Sequence, residues 1–355
     1  MNSRRRAAMD WKNISLIVLC VILALILVGL IFATSYIHYL INLTGTIVDP
    51  SDDETYPSDY WATETTETFD PDDTGEIEDP TNITINTIPS IDLDDLDRDG
   101  IINILLVGQD RREGEPRQRS DSMILCTFNT NKNTFTLTSF LRDTYVYIPG
   151  HGNNKMNAAY AWGGFSLLNE TLMVNFGVHV DANVEVDFQG FIGIIDLLGG
   201  VDIDLTAKEA AYMNKHKGFE YNKDEVWNLV EGVNHLNADQ ALAYARIRKL
   251  DSDFIRTQRQ RTVLMALLNK YKSQDLATML GLLDDILPLI KTNMTNQEII
   301  GYVVNLFPMM LNANLSTQHI PAYGTYTEKK IQGIGSSLVP NLEKNRDILA
   351  EILYN

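Results

Sequence analysis

The chain has 355 residues and a formal net charge of −18 at pH 7, and most of this charge is confined to one segment. Of its 47 Asp and Glu residues, 17 lie within Asp49–Asp97, which has no Lys or Arg, so the other 30 acidic residues nearly balance the 29 Lys and Arg. The acidic balance therefore does not exclude an anionic ligand for the rest of the chain. The two cysteines, Cys20 and Cys126, lie in separate apolar runs, which excludes a disulfide-stabilised domain.

A transmembrane helix is predicted over residues 14–40. Leu16–Ala33 carries no polar side chain, and about 20 apolar residues are enough to span a bilayer. A cleaved signal peptide is the alternative, although its apolar region is usually only about 7–15 residues long. Because Arg4–Arg6 and Lys12 precede the helix and acidic residues follow it, residues 1–13 are expected in the cytoplasm. We therefore expect a single-pass type II protein of the cell membrane whose following chain is extracytoplasmic.

An acidic disordered linker is predicted over residues 41–97. Asp, Glu, Thr, Ser and Pro dominate this segment, and it has no sustained apolar period. The composition changes near residue 98, so a folded extracytoplasmic domain is expected over residues 98–355.

Strands and helices are interspersed along the predicted domain. Three apolar runs, INILLVGQ from Ile101, SMILCTFNT and TFTLTSFL, are typical of strands, and a fourth strand is predicted over Val201–Leu205. Helices are predicted at about Phe165–Phe176, Phe188–Leu198, Ala238–Ala245, Asp253–Tyr271, Leu276–Ile290 and Gln297–Leu311, with a terminal helix from about Pro340. This order favours a layered α/β/α domain with a central, mostly mixed sheet.

Basic side chains are concentrated in residues 244–261, where six Lys and Arg accompany two Asp. Arg246 and Arg248 share one face if the backbone is extended. A helical backbone would place three more side chains on one face: Arg256, Arg259 and Gln260. Converging guanidinium groups suit a diphosphate better than a single carboxylate. The alternative is the solvated basic face of an ordinary helix.

Two aspartates flank the polar loop that follows the first strand, and they form a possible metal site. Asp110 and Asp121 could hold Mg²⁺, which takes one or two carboxylates and completes its shell with water and phosphate. Ion pairing of these carboxylates with the arginines of the same loop is the alternative. Arg142, at a strand end beside Asp143, and Lys155, in a turn between asparagines, could add positive charge to the same site. A structural Arg142–Asp143 ion pair is again the alternative.

Seven motifs occur in a fixed order between Ile101 and Tyr271: VGQDRR, RSDS, SFLRDTYVYIPG, NKMNAAYAWGG, LLGGV, ALAYARIR and DFIRTQRQR. Together they resemble the LytR-CpsA-Psr family of cell-envelope proteins. The resemblance implies a membrane-anchored phosphotransferase that attaches undecaprenyl-diphosphate-linked glycopolymers, such as teichoic acid or capsular polysaccharide, to peptidoglycan. The acceptor is usually a muramyl 6-hydroxyl, and Mg²⁺ is the expected cofactor.

The resemblance also implies roles for individual residues. The family's metal-binding aspartates match Asp110 and Asp121. Its diphosphate-binding positions match Arg119, Arg142, Lys155, Arg246, Arg248, Arg256 and Gln260, with Arg259 adjacent. Two positions depart from the usual family motifs, Phe140-Leu141 and Ala238. These departures concern the local backbone geometry, and neither removes a charged residue.

The implied phosphoryl transfer requires that the negative charge on the phosphate groups is neutralised and that a base accepts the proton of the attacking hydroxyl. Arginines and Mg²⁺ neutralise a transferring phosphoryl group and its leaving group, and the attacking hydroxyl can displace the lipid phosphate directly. Asp253 is the expected base, with Asp121 as the alternative. The expected catalytic residues are Arg142, Arg246, Arg248, Asp253 and Arg256.

Two other classes of function remain open from the sequence: an envelope regulator of the transcriptional-attenuator type, and a polyprenyl-diphosphate-binding protein without turnover. Nucleic acid is not an expected partner, because the basic cluster lies on the extracytoplasmic side and no helix-turn-helix signal precedes the anchor. Four segments rich in apolar residues either line a prenyl pocket or pack in the core: Phe188–Leu198, Thr262–Leu268, Met279–Ile290 and Ile299–Leu311.

Overall fold

The computed structural model describes residues 77–88, 99–109, 117–216, 226–274, 278, 281–282, 285–295, 298–299, 301–302, 305–306, 309 and 313–353. The predicted cytoplasmic segment (1–13), the transmembrane helix (14–40) and most of the linker lie outside these residues. No helix within the described ranges is long and apolar enough to cross a membrane. The topology and the membrane location therefore stay predictions.

Strands and helices are interspersed among the described elements. In chain order they are β1 (Ile77–Glu78), a 3-10 helix (Pro80–Asn82), β2 (Ile101–Gln109), β3 (Ser120–Asn129), β4 (Thr134–Phe140), β5 (Tyr145–Ile148), β6 (Gly152–Lys155), α1 (Asn157–Phe176), β7 (Ala182–Asp187), α2 (Phe188–Leu197), β8 (Val201–Leu205), α3 (Ala207–Lys215), β9 (Gly232–Leu236), α4 (Ala238–Ala245), α5 (Asp253–Lys272), a second 3-10 helix (Leu287–Leu289), β10 (Lys291–Thr292), β11 (Asn314–Ile320), β12 (Tyr326–Ile331), β13 (Gly335–Pro340) and α6 (Leu342–Leu353).

A six-stranded mixed sheet, in the order β10-β7-β2-β3-β4-β11, forms the centre of the domain. Strands β2, β3 and β4 are antiparallel neighbours, whereas β7 runs parallel to β2 and β11 parallel to β4. The described residues also form three smaller sheets, β1-β12-β13, β5-β6 and β8-β9. The predicted α/β class with a mixed central sheet is therefore confirmed.

Side chains alternate between two cores on opposite faces of the sheet. On one face, Leu105 of β2 and Leu125 of β3 pack in a core that includes Leu168 of α1 and Leu349 of α6. On the other face, Cys126 of β3 packs in a core that also takes in Leu264 and Leu268 of α5. Burial raises the pKa of the Cys126 thiol to about 12, so it stays protonated as a small apolar side chain.

One helix begins earlier than predicted. The pattern predicted a helix from Phe165, but α1 already begins at Asn157 and contains a non-helical pair, Gly163 and Gly164. Gly164 has φ 59°, a left-handed conformation that glycine adopts without strain. The two glycines therefore kink a longer buried helix instead of preceding a short one.

Two further predictions are wrong in part, and a third falls partly on residues that the structure does not describe. Lys155 ends strand β6 and pairs with Tyr145, so it does not lie in a turn. Strands β11, β12 and β13 occupy a region for which the pattern predicted only a terminal helix, and that helix, α6, begins at Leu342. The predicted helices at Leu276–Ile290 and Gln297–Leu311 fall partly outside the described residues.

The end of the predicted linker is folded against the domain. Residues 77–88 were predicted to be disordered, yet β1 pairs in parallel with β12, joining Ile77 to Lys330 and Glu78 to Ile331. Ile83 is buried in a core with Ile331, and Lys329 pairs with Glu78 at 2.8 Å. Backbone pairing and apolar burial thus stabilise a segment whose acidic composition alone predicts disorder.

Candidate active site

The strand order brings four chain segments to one edge of the central sheet. Gln109, at the end of β2, is opposite both Ser120, at the start of β3, and Asp187, at the end of β7. β4 is antiparallel to β3, so its end at Phe140 lies at the same edge. The polar residues that follow or begin these strands are therefore gathered in one place.

A cavity of about 440 Å³ opens beside this edge, between the sheet and helices α2, α4 and α5. Its walls are mostly apolar, with Leu106 and Ile124 from the sheet and Phe191 and Ile194 from α2. One face of α5 supplies a stripe of side chains that runs from polar to apolar: Arg256, Gln260, Leu264, Leu267, Leu268 and Tyr271. Of the two alternatives predicted for the apolar segments, residues of Phe188–Leu198 and Thr262–Leu268 therefore line a pocket.

The stripe on α5 sets the length of the cavity. At about 1.5 Å per helical residue, Arg256 and Tyr271 are separated by roughly 22 Å along the axis. Charged and polar side chains line one end of the cavity, and leucine side chains line the other end. The cavity thus has the shape and polarity that an amphiphile with an anionic head and a long apolar chain requires.

Asp121 anchors the polar end of the cavity. Arg142 donates from Nη1 to Asp121 Oδ1 at 2.7 Å, and Arg248 donates from Nη2 to both carboxylate oxygens at 3.2 Å. Burial alone would raise the pKa of Asp121, but the charges of Arg142, Arg248 and Arg256 outweigh it and hold the pKa below its usual value. Asp121 is therefore an ionised carboxylate between arginines.

Arg256 is buried at the same end with its donors poorly satisfied. Its side chain is 2% exposed, and Nη2 lies 2.7 Å from Oδ1 of Asp253. Within the described part of the chain, none of its three guanidinium nitrogens makes a hydrogen bond of regular geometry. Burial lowers the pKa of Arg256 to about 10, and the charge of Arg142 acts in the same direction, yet it stays cationic near pH 7. Burying a cation whose hydrogen-bond donors have no acceptors costs folding free energy, unless a bound anion accepts those hydrogen bonds.

Asp253 differs from Asp121 although both carboxylates contact arginines. Its Oδ2 is buried and has no hydrogen-bond partner among the described residues. Burial raises the pKa of Asp253 above its usual value, because it outweighs the attraction of Arg256 and Arg142. The environment thus separates the pKa values of the two carboxylates, as expected where one serves as a base and the other as a fixed charge.

Three further predicted residues lie at or near the polar end. The guanidinium of Arg246 lies 4.3 Å from the ring centroid of Phe188, and both residues line the cavity. Gln260 lines the cavity with a buried Oε1 that has no partner in the described part of the chain. Lys155 lies just outside, with its Nζ 3.0 Å from Oδ1 of Asp143.

Arg142 connects this outer group to the cavity. Its Nε lies 3.3 Å from Asp143 and 3.9 Å from Asp253, while Nη1 binds Asp121. The Arg142–Asp143 ion pair predicted as the alternative therefore exists, and Arg142 also belongs to the site. Asp143, which the sequence suggested only as a pairing partner, links Arg142 to Lys155.

Arg259 lies away from the other predicted diphosphate ligands. Its Nε donates to Glu209 at 2.7 Å, Nη2 pairs with Asp251, and Nη1 donates to the carbonyl of Ile247 at 3.3 Å. Its guanidinium also lies 5.9 Å from the ring centroid of Tyr244. Arg259 thus forms a buried ion-pair network, and the predicted shared face of Arg256, Arg259 and Gln260 is not formed.

The last predicted residues concern the metal and the loop after β2. Asp110 lies outside the described residues. Arg119 immediately precedes β3 and is not among the residues that line the cavity. Within the described ranges, no three His, Cys, Asp or Glu side chains are grouped as a metal site. Asp121 alone therefore offers a described oxygen ligand at the predicted position.

Comparison with known proteins gives consistent matches over most of the chain. A model of the LytR_cpsA_psr family matches residues 61–347. Polyisoprenyl-teichoic acid–peptidoglycan teichoic acid transferase TagT of Bacillus subtilis is 35% identical over 214 residues, which are 59% of this chain and 63%, just under two thirds, of TagT. The transferase TagU of Bacillus mycoides is 34% identical over 247 residues, which are 68% of this chain and 75% of TagU.

Solved structures agree with these matches. The crystal structure of Bacillus subtilis TagT is 28% identical, covers 78% of this chain and 99% of that chain, and has a TM-score of 0.57. A TagT structure with bound octaprenyl pyrophosphate lipid is also 28% identical, covers 72% of this chain and 91% of that chain, and has a TM-score of 0.55. Since the family model covers well over half of its residues, the chain belongs to the LytR-CpsA-Psr family.

Proposed function

We propose that this protein is a membrane-anchored phosphotransferase that moves a teichoic-acid-type glycopolymer from a polyprenyl diphosphate to peptidoglycan. The observation that carries the proposal is the position of Arg256, a buried cation with unused donors at the polar end of an apolar cavity. A diphosphate linked to a prenyl chain satisfies both parts of this site at once. The names of the relatives TagT and TagU, and the octaprenyl pyrophosphate bound to TagT, support the same assignment.

The cavity accounts for the choice of a lipid-linked donor. Leucine side chains of α5 and aromatic and branched side chains of α2 enclose a long apolar chain, whose burial contributes about 0.8 kcal/mol per CH₂ group. Arg246, Arg248 and Arg256 meet the diphosphate where this chain ends. Charge-assisted hydrogen bonds from guanidinium groups to phosphate contribute about 1.5–3 kcal/mol each.

The reaction is a direct displacement. The oxygen of the acceptor hydroxyl forms a bond to the phosphorus that carries the sugar, and the bond from that phosphorus to the bridging oxygen breaks. The lipid phosphate leaves, so the products are a sugar phosphodiester and polyprenyl monophosphate. Arg142 and Arg248 are held in place by Asp121, and Arg256 is held by burial, so positive charge is already oriented when charge develops on the phosphate oxygens.

Asp253 is the proposed base for the hydroxyl proton. Its raised pKa makes it a better proton acceptor than Asp121, and its side chain is 22% exposed and so can be reached by a hydroxyl group. After proton transfer the neutral carboxyl group suits its buried position, because burial disfavours the charged form. Asp121 stays ionised and orients the arginines.

Mg²⁺ is the proposed cofactor, with Asp121 as the described residue that would hold it and Asp110 as its predicted partner. The Asp121 carboxylate is ionised and partly exposed, which fits a hard cation that prefers oxygen ligands. Bound there, Mg²⁺ would neutralise diphosphate oxygens as a Lewis acid. Asp121 also accepts hydrogen bonds from Arg142 and Arg248, so these arginines and the cation would share one carboxylate.

The proposed location is the outer face of the cell membrane. It rests on the apolar segment Leu16–Ala33 and the basic residues before it, and a protein held at the membrane lies close to a lipid-linked donor.

The experiment is transfer by the full-length protein in detergent micelles, supplied with a polyprenyl-diphosphate saccharide, a peptidoglycan oligomer and Mg²⁺. Mass spectrometry should detect a phosphodiester product. Arg248→Ala should abolish the product without lowering the melting temperature, because Arg248 lines the cavity, is half exposed, and makes its described hydrogen bonds only to Asp121. Tight donor binding with no product from several donors would instead indicate a binding protein.

A further inference from the structure

A second opening adjoins the active site and is separate from the lipid cavity. It is a groove of about 640 Å³ between the start of α5 and the β12–β13 hairpin. The groove and the lipid cavity have no lining residue in common. They meet at one ion pair, in which Asp253 lines the groove, Arg256 lines the cavity, and their side chains are 2.7 Å apart.

The hairpin is fixed to the catalytic segment. Leu338 of β13 donates its backbone N–H to the carbonyl of Asp143 at 2.9 Å, and Thr144 forms a parallel bridge with Leu338. Asp143 itself lines the groove and binds Lys155 and Arg142. The position of the groove relative to the reacting groups is therefore set by main-chain hydrogen bonds.

The lining of the groove is polar and carries both signs of charge. Hydroxyl groups come from Ser252 and Ser336, carboxylates from Asp253 and Glu328, and ammonium groups from lysines of β12. This mixture does not suit a prenyl chain, which needs apolar walls, or a nucleic acid, which needs a predominantly basic surface. It suits a polyhydroxylated ligand that also carries carboxylate and amino groups.

Displacement at phosphorus places the attacking and leaving oxygens roughly in line. The leaving lipid phosphate lies on the cavity side, because its prenyl chain fills the cavity. The attacking hydroxyl must then arrive from outside the cavity, and Asp253, which lines the separate groove, can accept its proton. We propose that this groove binds the acceptor, a glycan strand bearing peptide substituents, and presents its primary hydroxyl to Asp253. This inference rests on the proposed transferase function.

Steady-state transfer by the full-length protein in detergent micelles tests the inference with groove-filling variants. Ser336→Trp fills the groove from β13, and Glu328→Trp, on an exposed position of β12, is a second variant with little risk to folding. Thr327→Trp is the matched control, because Thr327 is exposed on the same hairpin and does not line the groove. Melting temperatures establish that each variant is folded.

Both groove variants should raise the KM for a soluble peptidoglycan oligomer at least tenfold, while the KM for the lipid-linked donor changes less than twofold. The control should change neither value. An unchanged acceptor KM in both variants would overturn the inference, and so would a rise in the donor KM alone, which would place the donor's glycopolymer in the groove.

The groove can also be tested apart from catalysis. Calorimetric titration with the same oligomer should show binding to the wild-type protein and to Thr327→Trp, and binding at least tenfold weaker to Ser336→Trp. If the wild-type protein binds the oligomer in this way but forms no phosphodiester, the proposed function fails and the groove assignment stands. If it transfers to the oligomer with equal KM in all variants, the groove assignment fails and the function stands.

Discussion

Arg256 and Arg259 lie one turn apart on α5, and replacing each by methionine should affect a different property: Arg259→Met should lower stability, and Arg256→Met should weaken lipid binding. Arg259→Met removes the partner of Glu209, whose side chain is only 9% exposed and lies 2.7 Å from Arg259. Removing one partner of a buried ion pair costs about 3–5 kcal/mol. In a domain of this size each kcal/mol lowers the melting temperature by about 2–4 °C, so we expect a fall of about 10 °C.

Arg256→Met should behave differently. Its guanidinium makes no regular hydrogen bond within the described residues, and Asp253 can respond by taking up a proton, so the melting temperature should change by less than about 3 °C. Loss of one charge-assisted bond to the diphosphate costs about 1.5–3 kcal/mol, which weakens donor binding roughly ten- to a hundredfold. Arg259→Met should leave donor affinity nearly unchanged at temperatures where it is folded.

Scanning calorimetry and titration with a short-chain polyprenyl diphosphate measure both effects on the same protein samples. The reasoning would be refuted if Arg259→Met weakened donor binding at an unchanged melting temperature. It would equally be refuted if Arg256→Met destabilised the protein as much as Arg259→Met while binding the donor normally.

Three further predictions concern catalysis, lipid length and metal. Transfer should fall as the pH drops through the raised pKa of Asp253, because a protonated carboxyl cannot accept the hydroxyl proton; in a pH–rate profile Asp253→Asn should lack this limb and lose about 10²–10⁴-fold in kcat. Leu267→Trp narrows the middle of the cavity, so competition binding should show a larger loss for long-chain than for short-chain prenyl diphosphates. Chelation of Mg²⁺ should lower the transfer rate of the wild-type protein, and any residual transfer by Asp121→Ala should not respond to added Mg²⁺; equal responses in both would contradict the metal assignment.

The pattern of apolar residues along the sequence is enough to predict the central strands of the sheet. The apolar runs after Ile101 became β2, β3 and β4, and the charges at their ends were brought to one edge, because antiparallel neighbours reverse direction. Spacing also predicted that Arg246, Arg248 and Arg256 would converge, and all three line one cavity.

Arg259 could not be assigned from spacing, for a physical reason. At about 100° per residue, Arg259 and Gln260 lie on opposite sides of Arg256, roughly 60° and 40° away, so both fit a broad helical face. The direction of the Arg259 side chain is decided by Glu209, which is 50 residues distant in the chain. Local pattern contains no information about that partner.

The folded end of the linker was missed for a related reason. Ile77 and Ile83 lie in a predicted linker that is rich in Asp, Glu, Thr, Ser and Pro and has no sustained apolar period, a composition typical of disorder. Their order depends on β12, whose Lys330 pairs with Ile77, and on a core shared with Ile331. Such long-range strand pairing has no local signal, so the groove that β12 and β13 form could not be predicted either.

The stoichiometry of products from a single reaction tests the central claim most directly. Full-length protein, lipid-linked donor, peptidoglycan oligomer and Mg²⁺ should yield one polyprenyl monophosphate for each phosphodiester formed, measured together by mass spectrometry. Polyprenyl monophosphate released without phosphodiester would identify a hydrolase. Saturable donor binding with neither product would contradict the transferase account and identify a binding protein.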